Sequence, residues 1–139
     1  MRKLPTDLEI FNEIYERYYD TFAGFSRSSP NRQVKNYVPI DIKEIAQVIG
    51  VDGDIIFGRL YYIHQRKLGY EEEDETGRKT IVPFFDIDVG KERHAIHFPM
   101  MAAVLSELRK EEKMYKYTIR IAAGALVASI FSVIISVAG

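Results

Sequence analysis

Ile121-Ala122-Ala123-Gly124-Ala125-Leu126-Val127-Ala128-Ser129-Ile130-Phe131-Ser132-Val133-Ile134-Ile135-Ser136-Val137-Ala138 is a run of 18 residues without a charge. Extended to Thr118 and Gly139, the stretch holds 22 residues and a single charge, Arg120. At 1.5 Å of rise per residue such a segment makes a helix of about 27 to 33 Å, which matches the hydrocarbon thickness of a bilayer. A core helix of a soluble protein needs one apolar stripe, whereas this one is apolar all round. The sequence therefore predicts a single membrane crossing over residues 118–139, a tail anchor. Arg120 lies at its start, where a long side chain reaches back to the headgroups.

Arg109, Lys110, Lys113 and Lys116 lie just before Arg120, and only Gly139 follows the run. The positive-inside bias then predicts a single-pass topology with residues 1–117 in the cytoplasm. Met1-Arg2-Lys3-Leu4-Pro5 carries two charges with no apolar run after them, so no signal peptide is expected. Within the crossing, Gly124, Ala128, Ser132 and Ser136 recur every four residues as a strip of small side chains. In lipid such a strip lets two backbones approach, which predicts homo-oligomers through this helix. Met101, Val104, Leu105 and Leu108 keep helical spacing with no breaker before the crossing. One long helix is expected from about Met100, with residues 100–117 as its juxtamembrane part.

The chain of 139 residues leaves room for one compact domain, residues 1–99, ahead of that helix. Of the chain's eight Phe and nine Tyr, seven of each lie in this domain and can supply its core. A net charge of −1, from 19 basic and 20 acidic residues, provides no overall field toward nucleic acid. The absence of cysteine excludes disulfides and thiolate metal sites.

Thr6 with Glu9 forms a capping box and opens a helix over residues 6–23, with Leu8, Phe11, Tyr15, Tyr18 and Phe22 on one face. The Ser-, Asn- and Pro-rich stretch from Gly24 to Asn36, which holds Arg27, Arg32 and Lys35, reads as a loop. Asp41 with Glu44 starts a second helix carrying Ile42, Ile45, Ala46 and Ile49, stopped by Gly50. Asp52 caps a third, which runs through Leu68 with Ile55, Ile56, Leu60 and Ile63 as core candidates. The acidic run Glu71 to Thr76 reads as a solvated loop. Thr80 to Val89, with Ile81, Phe85, Ile87 and Val89 on one side, turns at Gly90-Lys91 and returns as Glu92 to Phe98, a hairpin. Pro83 within it suits an edge or a bulge. The class is α+β: three helices and a β-hairpin wing, then one long helix into the membrane.

A helix, a helix-turn-helix and a two-stranded wing follow one another as in winged-helix domains. The segment Ile40 to Phe98 resembles that fold, most clearly in Asp41-Ile42-Lys43-Glu44-Ile45-Ala46-Gln47-Val48-Ile49-Gly50-Val51. A shared fold carries no function by itself. Many winged-helix domains bind DNA through the N-terminal residues of the third helix. Here that position holds Asp52 and Asp54, two acids that would face phosphate. Arg59, Arg66, Lys67, Arg78, Lys79, Lys91 and Arg93 are the candidate contacts to nucleic acid or to a partner, interrupted by Glu71 to Glu75.

Other winged-helix domains serve protein interaction, and Tyr61, Tyr62, Tyr70 and Phe84 fall off the assigned apolar faces, where aromatics make interface hot spots. Catalytic chemistry is not expected. His94 and His97 fall on opposite faces of a strand, His64 stands alone on its helix, and Asp86 and Asp88 are balanced by Arg93 across the hairpin. Neither cofactor nor metal is expected. The expectation is a non-enzymatic, tail-anchored protein whose cytoplasmic domain binds a protein partner at the inner membrane. The alternatives are a membrane-tethered DNA-binding regulator and an oligomerising effector that perturbs the bilayer.

Overall fold

Short-range capping sets the helices. Thr6 accepts the Glu9 amide and Glu9 accepts the Thr6 amide, so both halves of the capping box are formed at the head of α1, Asp7–Ala23. Asp41 accepts the Glu44 amide at the head of α2, Ile42–Ile49, and Gly50 closes it in the left-handed region at φ 86°. Asp52 accepts the Asp54 amide and starts α3, Gly53–Gly58. The chain continues without a break through a π-helical turn, Arg59–His64, into α4, Gln65–Leu68.

The fold is that of a computed structural model, which describes residues 1–89 and 92–138, with the backbone alone at 88, 89, 92 and 93. The turn expected at Gly90-Lys91 lies outside the described residues, as do the side chains of Lys91 and Arg93. The chain divides into two compact units, Met1–Leu105 and Ser106–Gly139.

Five strands complete the first unit: β1 (Tyr37–Pro39), β2 (Tyr70–Glu73), β3 (Lys79–Val82), β4 (Phe85–Val89) and β5 (Glu92–His97). They form an antiparallel three-stranded sheet in the order β1-β5-β4 and a separate β2–β3 hairpin. Tyr37 pairs with His97, Phe85 with Ile96, and Tyr70 with Val82. Helix α5, Phe98–Ala138, follows directly, and the His97 Nδ1 accepts the Met100 amide at its first turn, 3.2 Å away.

The core gathers Ile10, Phe11 and Ile14 of α1, Ile45 and Ala46 of α2, Ile56 and Leu60, Phe84 and Phe85, and Phe98, Met101 and Leu105. Phe98 stacks on Phe22 and Tyr15 with ring centroids 4.7 and 5.6 Å apart. The α1 face differs from the expected one: Ile10 and Ile14 join Phe11 inside, while Leu8, Tyr15, Tyr18 and Phe22 are half-buried flanks.

Four expectations need correction. Ile55 and Ile63 are exposed, at 42% and 54%, and His64 is buried instead. The π turn explains the exchange of Ile63 for His64, since its wider winding, with the Gln65 amide bonded to the Leu60 carbonyl, brings His64 to the buried side with Leu60, whereas Ile55 lies ahead of the turn beside the buried Ile56. The strand expected over Thr80 to Val89 is two strands in two sheets, broken at Pro83 and Phe84. Proline offers no amide there, the Phe84 and Phe85 amides both donate to Gln65 Oε1 at 2.7 and 2.9 Å, and Tyr37 donates its hydroxyl to the Pro83 carbonyl. Phe84 is consequently buried and not on the surface, and Ile81 is 67% exposed and not on the core face. Glu71, Glu72 and Glu73 lie in β2 and not in a loop; only Asp74 to Gly77 turns, with the Asp74 carboxylate accepting the Thr76 and Arg78 amides.

The stretch from Gly24 to Asn36 is irregular, and Arg32 within it is buried at 8% exposure. Its guanidinium donates to the carbonyls of Thr21, Val34, Lys35 and Tyr37 at 2.8 to 3.2 Å, which ties the end of α1 to β1. In the second unit an 18-residue window of α5 is long and apolar enough to cross a membrane, and none of it is buried.

Candidate functional site

Arg59-Leu60-Tyr61-Tyr62-Ile63-His64 supplies the π turn, and two buried attachments hold its ends. Leu60 and His64 point inward, His64 between the Phe11 and Phe84 rings. Gln65, the next residue, is drawn to the strand break by its two amide contacts. Tyr61, Tyr62 and Ile63 are left outside, at 36%, 57% and 54% exposure. Phe57, Tyr61 and Tyr62 form a ring cluster with centroids 5.1 to 6.4 Å apart. π turns recur at functional sites because they re-aim the side chains that follow.

Beside this cluster, a groove of about 440 Å³ runs between the helix and the β3–β4 junction. Tyr61, Arg66, Ile81, Phe85 and Ile87 are among its walls. The sheet order leaves β4 as an edge strand on the same side. Ile81 and Ile87 stay partly in water, and Arg66 is exposed on the helix one turn after Tyr62. The result is an apolar and aromatic surface with Arg66 and Asp86 among its lining residues and the edge strand β4 beside it. Such a composition resembles the centre of protein interfaces more than ordinary solvent surface.

The other end of the turn motif has a different character. A second cleft, of about 810 Å³, is lined by Tyr18, Asp41, Glu44, Asp54, Phe57 and His94 among others. The Tyr18 hydroxyl accepts the Asp41 amide at 2.7 Å, and burial pushes its phenol above the usual value. His94 has φ 54° and lies flat against Phe85, 6.0 Å between centroids. Three carboxylates against Lys43 make this cleft a poor surface for a polyanion.

The basic residues expected to act together are dispersed. Arg59 does not face a partner: its Nη1 donates to Asp7 Oδ1 at 2.6 Å and its Nη2 to the Pro5 carbonyl at 3.2 Å. His64 Nε2 lies 2.9 Å from the same Asp7 oxygen. Burial pushes the Asp7 carboxyl up, but the hydrogen bonds from Arg59 and His64 outweigh it and hold Asp7 below the ordinary carboxylate range. Arg66 and Lys67 are exposed on α4. Arg78 and Lys79 are exposed on the β2–β3 hairpin and not on the β4–β5 pair, with Lys79 opposite Glu73. Arg93 stands opposite Asp88 in the strand register.

His94 and His97 do not converge, since His97 packs edge-on against Tyr37, 5.2 Å away, and serves α5. Among the described residues no group of three or more His, Cys, Asp or Glu could hold a metal. Burial, joined by the nearby Asp86 charge, pushes the Tyr37 phenol to about 12. On α5, Ala128, Ser132 and Ser136 are exposed, and a Cβ at Gly124 would meet nothing within 4 Å. Arg109, Lys110, Lys113, Lys116 and Arg120 are exposed as well, with Lys116 Nζ 3.2 Å from Glu112.

Asp7, Arg32, Gln65 and His97 carry polar contacts that sequence reading missed. The acid-free loop around Arg32 was the one local signal, because a buried guanidinium there had only carbonyls to bind. Comparison of the chain with protein-family models, with curated proteins and with solved structures finds no match.

Proposed function

We propose that this chain is a membrane-anchored interaction module and not a catalyst. Its helix over residues 118–138 crosses the bilayer, its first unit is winged-helix-like and cytoplasmic, and that unit engages a protein partner. The exposed surface of Tyr61, Tyr62, Arg66, Ile81 and Ile87 beside an edge strand carries this reading. Aromatic and aliphatic side chains with an arginine are the residues that dominate binding energy at interfaces.

The winged-helix comparison is supported by two helical segments joined at Gly50 to Asp52 and followed by the β4–β5 hairpin. DNA readout is disfavoured because Asp52 and Asp54 occupy the leading end of the second segment and Arg59 is engaged by Asp7. The basic flank before the crossing favours the cytoplasmic side for the first unit.

The test has two parts. Full-length chain should stay in the membrane pellet after a carbonate wash, and a chain ending at Tyr117 should not. A photo-crosslinker in place of Tyr62 or Ile87 should capture the same species in those membranes, one at Gln47 should capture none, and Arg66→Glu should abolish capture. Equal capture from all three positions, or none from any, refutes the assigned surface.

A further inference from the structure

Arg109, Lys113, Lys116 and Arg120 recur at i, i+4, i+7 and i+11 along α5. At 3.6 residues per turn these four fall within about 60° of arc on one side of the helix. The acids of the same segment lie elsewhere: Glu107 and Glu111 take the opposite side, and Glu112 stands beside the strip, paired with Lys116. That pair is exposed on both sides, so headgroup phosphates compete with it readily. Tyr115 and Tyr117, both exposed, sit at the height where aromatic rings line a membrane interface.

We propose that this strip binds anionic phospholipid headgroups, so that the helix gathers acidic lipid on one side; the inference rests on the reading that residues 118–138 cross the bilayer. The strip ends where the uncharged run begins, because Arg120 adjoins Ile121. Lys116, Lys113 and Arg109 stand about 6, 10 and 16 Å from Arg120 along the axis. A charged surface is felt over about 8 Å at physiological salt, and long basic side chains extend that reach by bending toward it. The contributions are therefore graded, largest for Arg120 and Lys116, smaller for Lys113 and least for Arg109. A protein ligand would weigh these residues by contact and not by height. Lys110, off the strip by about a quarter turn, takes little part.

Full-length chain reconstituted in phosphatidylcholine vesicles, with trace spin-labelled phosphatidylglycerol or phosphatidylcholine, gives the readout: the fraction of labelled lipid immobilised at the protein. Phosphatidylglycerol should be favoured by roughly five-fold at low salt, with the preference shrinking as salt rises. At physiological salt, where the charged surface is felt over about 8 Å, the double change Lys116→Gln and Arg120→Gln should bring the preference near parity, Arg109→Gln should change it little, and Glu107→Gln with Glu111→Gln should not reduce it. Equal immobilisation of the two lipids by the unaltered chain overturns the proposal. A loss from Arg109→Gln as large as that from Lys116→Gln also overturns it and assigns the strip to a protein ligand. Failure of the chain to float with the vesicles refutes the membrane crossing itself, an outcome distinct from either.

Discussion

Replacing Gln65 with Leu removes one oxygen and leaves two amides without a partner. Phe84 and Phe85 are 0% and 1% exposed, and their N–H groups donate to Gln65 Oε1 at 2.7 and 2.9 Å. An unsatisfied buried donor costs about 1 to 3 kcal/mol. Two donors put the loss at about 2 to 4 kcal/mol, allowing one of them to recruit water through the half-open position of Gln65. Leucine has nearly the volume and helix propensity of glutamine, so neither a cavity nor α4 itself contributes. Gln65→Glu is the control, because a carboxylate accepts both amides, and it should stay within about 1 kcal/mol of the parent. For a unit of this size, 2 to 4 kcal/mol corresponds to a melting shift of roughly 10 to 25 °C. Thermal and urea unfolding of the full chain in detergent, followed by near-ultraviolet circular dichroism, measures it. A Gln65→Leu protein that unfolds within about 0.5 kcal/mol of the parent would falsify the account of the strand break.

Arg32→Lys should destabilise nearly as much as Arg32→Ala, by about 2 kcal/mol or more in the same assay, because an ammonium cannot span four carbonyls; rescue by lysine would refute the bridging role. Gly50→Ala should cost about 1 kcal/mol, from the left-handed backbone alone, since its Cβ would meet no atom within 4 Å. Gly50→Asn should cost less, and equal losses would count against backbone strain. Asp7 has a lowered folded-state pKa, so the unfolded chain takes up its proton first. The stability it contributes is present above about pH 4 and is lost as pH falls through the folded value. Asp7→Asn should flatten that acid limb of the urea midpoint, and an unchanged limb would assign it elsewhere. Burial holds the His97 imidazole below its ordinary value, so acidification below about pH 6.5 favours unfolding until the folded form protonates too. His97→Asn keeps an acceptor for the Met100 amide and should remove that step.

The helices were legible because their signals are local. Thr6 with Glu9, Asp41 with Glu44, and Gly50 act within four residues, and each occupies its expected place. What lay beyond reach was decided across distance. Arg59 looked like a surface cation because its carboxylate partner, Asp7, is 52 residues away. Phe84 looked like a surface aromatic because the strand break that buries it depends on Gln65, 19 residues earlier. Ile63 and His64 exchanged places because simple α spacing does not anticipate a wider turn. β1 escaped notice because three residues containing a proline form a strand only when β5 is beside them. Of the candidate surface, Tyr61 and Tyr62 could be read from periodicity, whereas Ile81 joins it only through the break at Pro83.

No side chain of the β2–β3 hairpin is buried and only Val82, at its end, is half-buried, so the hairpin lends little to the hydrophobic interior. Two such strands alone are marginal in water, and these amides should exchange with solvent faster than any others in the sheets. The same independence makes the Asp74 to Gly77 turn a splice point: a short epitope placed between Glu75 and Thr76 would report which side of a membrane it occupies while the folded interior stays as it is.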